Sequence, residues 1–253
     1  MLLLLACSIY CASAENSPFS ERYLLSYPQT AWEAVKTPVS WDEADWLAAA
    51  GALGVGAGLY LFDEEINRFI ANNRDDVTSS FSYFGNKAGD KGLMFPASGA
   101  VILAGYLTGD KRTMDTGLLC LKSLFFSNAA TYCLKLATQR ERPSEGKGSE
   151  FWGPGGFSFN RDSFPSGHAA VAWSVAPVLV SQYPEEPWLV PVAYGIASLT
   201  SYARLHENKH WASDVFAGAI VGWVSAQLTL KSTPRLQFYP LEGLKGLGLS
   251  CSF

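Results

Sequence analysis

Uncharged or nearly uncharged apolar stretches alternate with polar segments along the chain, and the lengths of the apolar stretches are typical of helices rather than strands. The stretches are rich in Ala, Leu, Val and Gly and lie at roughly 46–62, 92–109, 116–134, 169–184, 187–203 and 215–230. No Gly/Ser-rich or Pro-rich linker divides the 253 residues. The pattern therefore predicts an all-α protein, a bundle of about six helices in a single domain.

The two ends of the chain differ from the helical part. Residues 1–14, MLLLLACSIYCASA, form a short apolar run that ends in small residues, which is typical of an export signal. Residues 15–45 are polar and mostly acidic, which predicts an exposed lead-in to a helical domain at 46–231. The tail at 232–253 contains Pro240 and several glycines, so we expect it to be irregular, although LGLSCSF at its end alternates like a short strand.

The lengths of the apolar stretches leave a membrane location open. A spanning helix needs about 20 mostly apolar residues, whereas these stretches contain roughly 16 to 19, with Lys122 inside the third. The mean hydropathy of the chain, +0.07, is low for six spans. If the signal is cleaved, six crossings place the loops at 137–168 and 204–214 inside the cell. Either the first segment stays as an anchor, or some helices do not cross, or the bundle is a soluble or peripheral envelope protein.

Composition narrows the functional classes. The net charge of −4 argues against a nucleic-acid partner, because binding to a phosphate backbone needs a basic face. Beyond the signal, the scatter of Cys120, Cys133 and Cys251 fits neither a disulfide framework nor a metal site. We predict that these cysteines are small apolar residues.

Two predicted helices contain glycine pairs at four-residue spacing, Gly54 with Gly58 and Gly218 with Gly222. Such a pair lets another backbone approach closely. Pairs of this kind are also common in any Ala- and Gly-rich helix, and the two interpretations carry equal weight.

Three segments next to the predicted helices carry reactive or charged side chains. KLATQRERP contains Lys135 and Arg142, and DSFPSGH ends in Ser166, Gly167 and His168 where a helix begins. The third segment, ARLHENKHWASD, adds Arg204, His210 and Asp214. Taken singly, these are cations near a helix C-terminus, turn residues and a helix cap.

Taken together, the three segments suit a phosphoryl group. The fixed cations are Lys135, Arg142 and Arg204. An anion at a helix N-terminus meets free N–H donors and a favourable dipole, so Ser166 and Gly167 are predicted to bind phosphate oxygens. His168 beside them has a pKa suited to proton transfer.

His210 and Asp214 are predicted to form the nucleophilic pair. They are four residues apart, so in a helical segment they share one face. We expect the carboxylate to accept the proton of one ring nitrogen and to leave the other nitrogen as a nucleophile.

In order and spacing, the three segments closely resemble the K-x6-RP, PSGH and SR-x5-H-x3-D motifs of the type 2 phosphatidic acid phosphatase and vanadium haloperoxidase superfamily, in its membrane-type lipid phosphatase branch. The matching residues are Lys135, Arg142, Pro143, 165–168, Arg204, His210 and Asp214. The resemblance covers about 135–214, and the surrounding helices look like the helical bundle of that family. The one departure is Ala203, where the family usually has serine, and the lost hydroxyl bears on phosphate positioning.

The resemblance implies a phosphatase that needs no metal and no cofactor. His210 would attack phosphorus to form a phosphohistidine, and His168 would protonate the leaving oxygen and then serve as base for water. Asp214 would orient His210. The groups implied to hold the developing charge are Lys135, Arg142, Arg204 and the Ser166-Gly167 turn. Vanadate is expected as an inhibitor.

The same residues leave alternatives open. A vanadium haloperoxidase uses this kind of site with vanadate as cofactor, but it ranks lower because the chain is short and membrane-like. A soluble periplasmic acid phosphatase acting on small phosphomonoesters also fits. His206, His210 and Asp214 recur every four residues like a zinc stripe, although that site would leave the three cations without a role. An inactive helical scaffold protein ranks last.

The expected substrate is a lipid phosphate or a polyprenyl diphosphate at a membrane. The residues do not separate phosphatidic acid, phosphatidylglycerol phosphate, undecaprenyl diphosphate and lipid A phosphate. Aromatic side chains in the loop either contact an acyl chain or pack the loop, and they are Phe151, Trp152, Phe157 and Phe159. The export signal indicates a bacterial-type inner membrane or periplasm, with the active site on the outer side of the inner membrane.

Overall fold

The computed structural model describes residues 21–156, 161–233, 235–240 and 247–252. The helices within these residues are α1 (Glu21–Lys36), α2 (Glu43–Leu61), α3 (Asp63–Asn72), α4 (Asp76–Ala88), α5 (Lys91–Thr108), α6 (Lys111–Thr138), α7 (Gly167–Gln182), α8 (Leu189–His206) and α9 (Ala212–Ser232). Single 3-10 turns occupy Thr37–Ser40 and Pro143–Glu145, and the strands are β1 (Arg235–Pro240) and β2 (Leu247–Ser252). The predicted signal at 1–14 and the loop aromatics Phe157 and Phe159 lie outside the described residues.

The six predicted helices are confirmed as α2 and α5 to α9, and the predicted all-α fold class is confirmed with them. Their ends differ from the apolar stretches by a few residues, because polar side chains enter the first and last turns. In α6 the Asp110 carboxylate accepts the Arg112 N–H at 3.0 Å, so the helix begins before its apolar part. The same helix continues past its apolar part and carries Lys135 in its last turn.

Helices α1, α3 and α4 were not predicted, because charged and polar residues dominate their sequences. Helix α3 begins with three acidic residues, which the helix dipole favours at an N-terminus. Helix α4 begins with a capping box in which Asp75 accepts the Thr78 N–H at 2.7 Å. The predicted exposed lead-in contains α1, and Ser26 and Thr30 on this helix are buried.

Contacts divide the chain into a unit of residues 40–227 and a unit of residues 1–39 and 228–253. In the smaller unit, Thr30 of α1 hydrogen-bonds Ser232 through their side-chain hydroxyls. Strands β1 and β2 pair antiparallel, with Arg235 opposite Ser252 and Pro240 opposite Leu247. The strand predicted for LGLSCSF is confirmed, and its pairing with β1 gives this part of the tail regular structure.

In the larger unit, small residues let the helices approach closely. Helix α7 meets α8 through a core that includes Ala172, Ala176, Ala193 and Ala197. A Cβ built on Gly218 of α9 would lie 2.3 Å from the Ser166 carbonyl oxygen, and one on Gly222 would lie 2.3 Å from that of Ala170. Close backbone contact is therefore confirmed for this glycine pair. Gly54 and Gly58 in α2 have no atom of the described residues within 4 Å of a built Cβ, so no close approach is seen there within this part of the chain.

Three helices, α2, α6 and α9, are long and apolar enough to cross a membrane by length and composition. Helix α2 carries exposed apolar side chains along its length, including Leu47, Leu53, Val55 and Leu61. Large apolar surfaces that face outward on a helix are typical of contact with lipid or with another protein. The apolar surface of α2 contrasts with the charged side chains that are buried elsewhere in the larger unit, such as Arg140 and Asp214.

Candidate active site

The ends of four helices bring the predicted site residues together. Lys135 lies in the last turn of α6, and Ser166 is the residue that precedes α7. Arg204 lies in the last turn of α8, and Asp214 lies in the first turn of α9. The Ser166 N–H donates to the Asp214 carbonyl oxygen at 2.9 Å, which joins the start of α7 to the start of α9.

His210 lies in the turn between α8 and α9 and is 2% exposed. Its Nδ1 is 2.7 Å from the Ser163 carbonyl oxygen. Because a carbonyl oxygen only accepts hydrogen bonds, Nδ1 carries the proton and Nε2 keeps its lone pair. Burial and the positive charges of Lys135, Arg204 and Arg142 hold the pKa of His210 well below its ordinary value. The imidazole is therefore neutral near pH 7, as a nitrogen nucleophile requires.

The expected direct hydrogen bond between His210 and Asp214 is wrong. Helix α9 begins at Ala212, so His210 is outside it and the two residues do not share a helix face. The Asp214 Oδ2 atom is 3.9 Å from His210 Nδ1, which is too long for a hydrogen bond. It accepts instead from the Ser163 hydroxyl at 2.5 Å and the Trp211 N–H at 2.9 Å. Asp214 thus contacts the residue whose carbonyl holds His210.

Lys135 and Arg142 both contact Asp162, a residue with no predicted role. Arg142 donates from Nε and Nη2 to the two carboxylate oxygens of Asp162 at 2.7 and 2.9 Å. Lys135 Nζ donates to the Asp162 carbonyl oxygen and lies 4.0 Å from Oδ2. Burial raises the pKa of Asp162, but the hydrogen bonds and charge of Arg142 and the charge of Lys135 outweigh this effect and lower it. The ionised carboxylate holds both cations in place.

Donors without partners lie beside these cations. Within the described residues, Arg204 Nε and the Ser166 hydroxyl are buried and have no hydrogen-bond partner. Arg204 is anchored through Nη1, which donates to Asn86 and to Glu207 Oε2, the latter at 3.2 Å. No side chain of this part of the chain caps the N-terminus of α7. Buried unpaired donors are rare in native proteins, and both of these groups could donate to an anion.

His168, in the first turn of α7, is half-buried. His168 packs against Gly89, at the junction of α4 and α5. A Cβ built on Gly89 would lie 2.9 Å from the His168 Cβ. Burial and the charges of Arg204, Arg142 and Lys135 lower its pKa to about 4, and Asp90 opposes the shift. His168 is therefore neutral near pH 7 while the site holds no anion.

The sequence reasoning missed Asp63 and Arg140, which form a buried ionic cluster with Asp214. Arg140 lies inside the KLATQRERP segment, two residues before Arg142, so its position was a usable signal. Asp63 is the first residue of α3, and its spacing to the motifs carries no information. Ala203, the departure from the family pattern, is fully buried close to Gly85 of α4, where a built Cβ would lie 3.0 Å from the Ala203 Cβ.

The alternative metal stripe is not assembled. His206 ends α8 and its ring lies 5.7 Å from that of Tyr202, while His210 is held by Ser163. No group of three His, Cys, Asp or Glu side chains in the described residues is arranged to hold a metal ion.

Of the loop aromatics, Trp152 packs against Tyr60 and Phe164 with ring centres 6.1 and 5.5 Å away, which favours loop packing.

Comparison with known proteins agrees with this geometry. Residues 116–238 match the model of the PAP2 superfamily. This segment contains all three motifs, so the resemblance drawn from the motifs is confirmed over these residues.

Two curated relatives share part of the sequence. A lipid A 1-phosphatase of Porphyromonas gingivalis is 39% identical over 29% of this chain and 19% of its own length. An undecaprenyl-diphosphatase of Sulfolobus acidocaldarius is 36% identical over 25% of this chain and 30% of its own length. The chain therefore spans less than a third of either relative.

Two solved structures share the fold. LpxE of Aquifex aeolicus superposes with a TM-score of 0.51 and 22% identity, over 67% of this chain and 95% of its own. A transmembrane PAP2-type phosphatidylglycerolphosphate phosphatase of Bacillus subtilis gives 0.55 and 21%, over 72% of this chain and 94% of its own. At these identities the likeness shows a common helical fold.

Proposed function

We propose that the protein is a metal-independent phosphatase that hydrolyses a phosphorylated lipid through a phosphohistidine at His210. One observation carries the proposal. The proton of His210 is fixed on Nδ1 by the Ser163 carbonyl at 2.7 Å, and the free Nε2 belongs to a ring surrounded by the charges of Lys135, Arg142 and Arg204. That arrangement suits attack by nitrogen on an anionic phosphorus centre.

In the first step, His210 Nε2 forms a bond to phosphorus while the bond from phosphorus to the lipid oxygen breaks. The leaving oxygen takes a proton from His168. Burial and three cations lower the pKa of His168, and the phosphate charge offsets the cations, so His168 acquires this proton when the substrate binds. The developing charge on the phosphoryl oxygens meets Arg204 Nε, the Ser166 hydroxyl and the N-terminus of α7.

In the second step, water attacks phosphorus and the bond from phosphorus to Nε2 breaks. The water gives a proton to His168, which now acts as the base, and inorganic phosphate leaves. Throughout both steps the Ser163 carbonyl accepts the Nδ1–H bond, so the positive charge that forms on the ring lies next to a fixed dipole.

The substrate is proposed to be a lipid phosphate at a membrane. The names of the two relatives and the Bacillus subtilis protein each specify a phosphorylated lipid. Helices α2, α6 and α9 supply segments that fit a bilayer. The apolar run at 1–14 favours export, with the site on the outer side of the inner membrane.

The test is phosphate release in EDTA from a panel of lipid phosphates, a polyprenyl diphosphate and a soluble aryl phosphate. His210→Ala is compared with His206→Ala, a matched histidine that has no role in the proposed reaction. We expect release in EDTA from a lipid substrate, its loss in His210→Ala and its retention in His206→Ala.

Other outcomes would assign another function. Activity that EDTA removes, and that both variants lose, would indicate the metal stripe. Preference for the aryl phosphate would indicate a soluble-type acid phosphatase. Halide oxidation with peroxide and vanadate, without phosphate release, would indicate a haloperoxidase.

A further inference from the structure

A buried ionic cluster lies behind His210, and its central residue, Arg140, occupies an unspecified position of the first motif. Arg140 is fully buried between two fully buried carboxylates. Its Nη2 donates to Asp63 Oδ2 at 2.8 Å and its Nη1 donates to Asp214 Oδ1 at 2.6 Å. The cluster therefore joins the start of α3 to the start of α9, across most of the length of the sequence.

The guanidinium of Arg140 is enclosed on all sides. Nε and Nη2 both donate to the Ser149 carbonyl oxygen, at 3.0 and 2.8 Å. The guanidinium carbon lies 5.0, 4.8 and 5.6 Å from the ring centres of Tyr60, Trp152 and Trp211. Burying an ion away from water is unfavourable unless its hydrogen bonds are complete. Complete bonding of this kind fixes the guanidinium in one orientation.

Asp63 and Asp214 cap the same helix. The backbone N–H groups at the start of a helix have no partner within it. Asp63 Oδ1 accepts the Ser213 N–H at 2.9 Å, and Asp214 Oδ2 accepts the Trp211 N–H at 2.9 Å. Because His210 lies immediately before these donors, the two carboxylates hold the chain on which the nucleophile is carried.

An unbroken series of contacts leads from this cluster to the nucleophile. Arg140 occupies one oxygen of Asp214, and the other oxygen accepts the Ser163 hydroxyl at 2.5 Å. The Ser163 carbonyl in turn accepts the His210 Nδ1–H at 2.7 Å. A change in the orientation of Asp214 therefore moves the group that sets the His210 tautomer.

We propose that Asp63 and Arg140 are positioning residues, which hold Asp214 so that Ser163 keeps His210 with its proton on Nδ1 and Nε2 toward phosphorus. The inference rests on the proposed phosphatase function. It assigns a role in turnover to a residue of α3, which lies outside the segment matched by the family model. The phosphate-binding cations are separate from this role.

The test measures kcat, KM and inhibition by inorganic phosphate for Asp63→Asn and Arg140→Met. We expect kcat to fall about 100-fold in Arg140→Met, because a small displacement of a reacting group has effects of that size. KM and phosphate inhibition stay unchanged, because Lys135, Arg142 and Arg204 are untouched. Asp63→Asn keeps the shape of the side chain and gives a smaller fall in kcat.

A double variant separates charge balance from shape. Arg140→Met leaves two buried carboxylates without their common partner, and Asp63→Asn removes one of them. Asp63→Asn combined with Arg140→Met is therefore expected to be more active than Arg140→Met alone, which is a non-additive effect. Two substitutions on α3 serve as controls, Glu65→Gln and Arg68→Met. Glu65 and Arg68 are exposed and form an ion pair with each other, away from the cluster. Their variants should match the wild type in kcat, KM and phosphate inhibition.

A second measurement does not depend on turnover. Nitrogen-15 NMR of the His210 ring should show a single tautomer, protonated on Nδ1, in the wild type and in both controls. A mixture of tautomers is expected in Arg140→Met and Asp63→Asn. If Arg140→Met does not fold, Asp63→Asn carries both measurements.

The proposal is overturned if the folded variants keep wild-type kcat and a single tautomer. It is also overturned if kcat, KM and phosphate inhibition all worsen together while the tautomer stays the same, since that would indicate general damage. A wild type that releases no phosphate would refute the proposed function, and the NMR comparison would still decide whether this cluster positions His210.

Discussion

Arg140 and Arg204 are both buried arginines of the same domain, yet their hydrogen bonding differs completely. Arg140 donates from all three nitrogens, to Asp63, Asp214, Ser213 and Ser149. Arg204 is anchored at Nη1 only among the bonds that the structure describes, and its buried Nε has no partner. The first arginine is closed to any ligand, whereas the second keeps a donor for one.

The difference teaches how a site can use identical side chains for opposite purposes. A guanidinium with complete bonds fixes its neighbours in place. A guanidinium with an unused donor favours anion binding. An unpaired buried donor is unfavourable, and a hydrogen bond to the anion removes that cost. Both arginines are buried, so burial does not distinguish them. They differ in how many of their N–H donors are already hydrogen-bonded.

The largest expected effect comes from Arg204→Lys, which keeps the charge and removes the planar donor set. If the free Nε–H stabilises the transition state, kcat/KM should fall roughly 100-fold, the size typical of losing one such donor. Steady-state kinetics on the best lipid phosphate measure it, with Arg68→Lys on the exposed face of α3 as the matched control. A fully active Arg204→Lys would break the comparison, because charge alone would then suffice.

A smaller effect is expected where α9 packs closely against the start of α7. Gly218→Ala places a methyl group against the Ser166 carbonyl, where no space exists, so the free energy of unfolding should fall by about 1–3 kcal/mol. Gly54→Ala makes the same change in α2, where the described residues leave open space, and should cause no such loss. Thermal unfolding in detergent compares them. Equal midpoints for both variants would contradict the close approach of α9 to α7.

The smallest effect is a pH dependence of stability that comes from His168. Its pKa is about 4 in the folded protein and 6.5 ordinarily, so between these values the unfolded chain binds the proton more strongly. Stability should therefore fall as the pH is lowered from 6.5 to 4. His168→Asn should make this fall shallower, and His210 and His206 should contribute to the remainder because their pKa values are also lowered.

Inorganic phosphate provides the control for this pH dependence. An anion between the cations raises the pKa of His168, so added phosphate should reduce the fall in stability of the wild type and have less effect on His168→Asn. Unfolding midpoints measured from pH 4 to 7, with and without phosphate, give the answer. Identical pH profiles for the two proteins would mean that His168 is not buried among cations.

The apolar pattern predicts six helices because each has a long uncharged stretch, and it misses α1, α3 and α4 because capping and tertiary contacts, rather than composition, specify them. The motif spacing predicts which residues meet around a phosphoryl group. It does not predict that Ser163 contacts both His210 and Asp214, because that contact depends on α9 beginning at Ala212, after His210. The role of Asp63 could not be predicted for a different reason, because only the folded chain brings this residue next to Arg140.

The central claim is that His210 becomes phosphorylated, and direct trapping tests it. Wild-type protein is mixed with a phosphorus-32-labelled lipid phosphate, quenched during turnover and mapped by proteolysis and mass spectrometry. The account predicts an acid-labile phosphoryl group on His210, absent from His210→Ala and unaffected in His206→Ala. A labelled residue other than His210, or rapid hydrolysis with no labelled protein at any time, would contradict it.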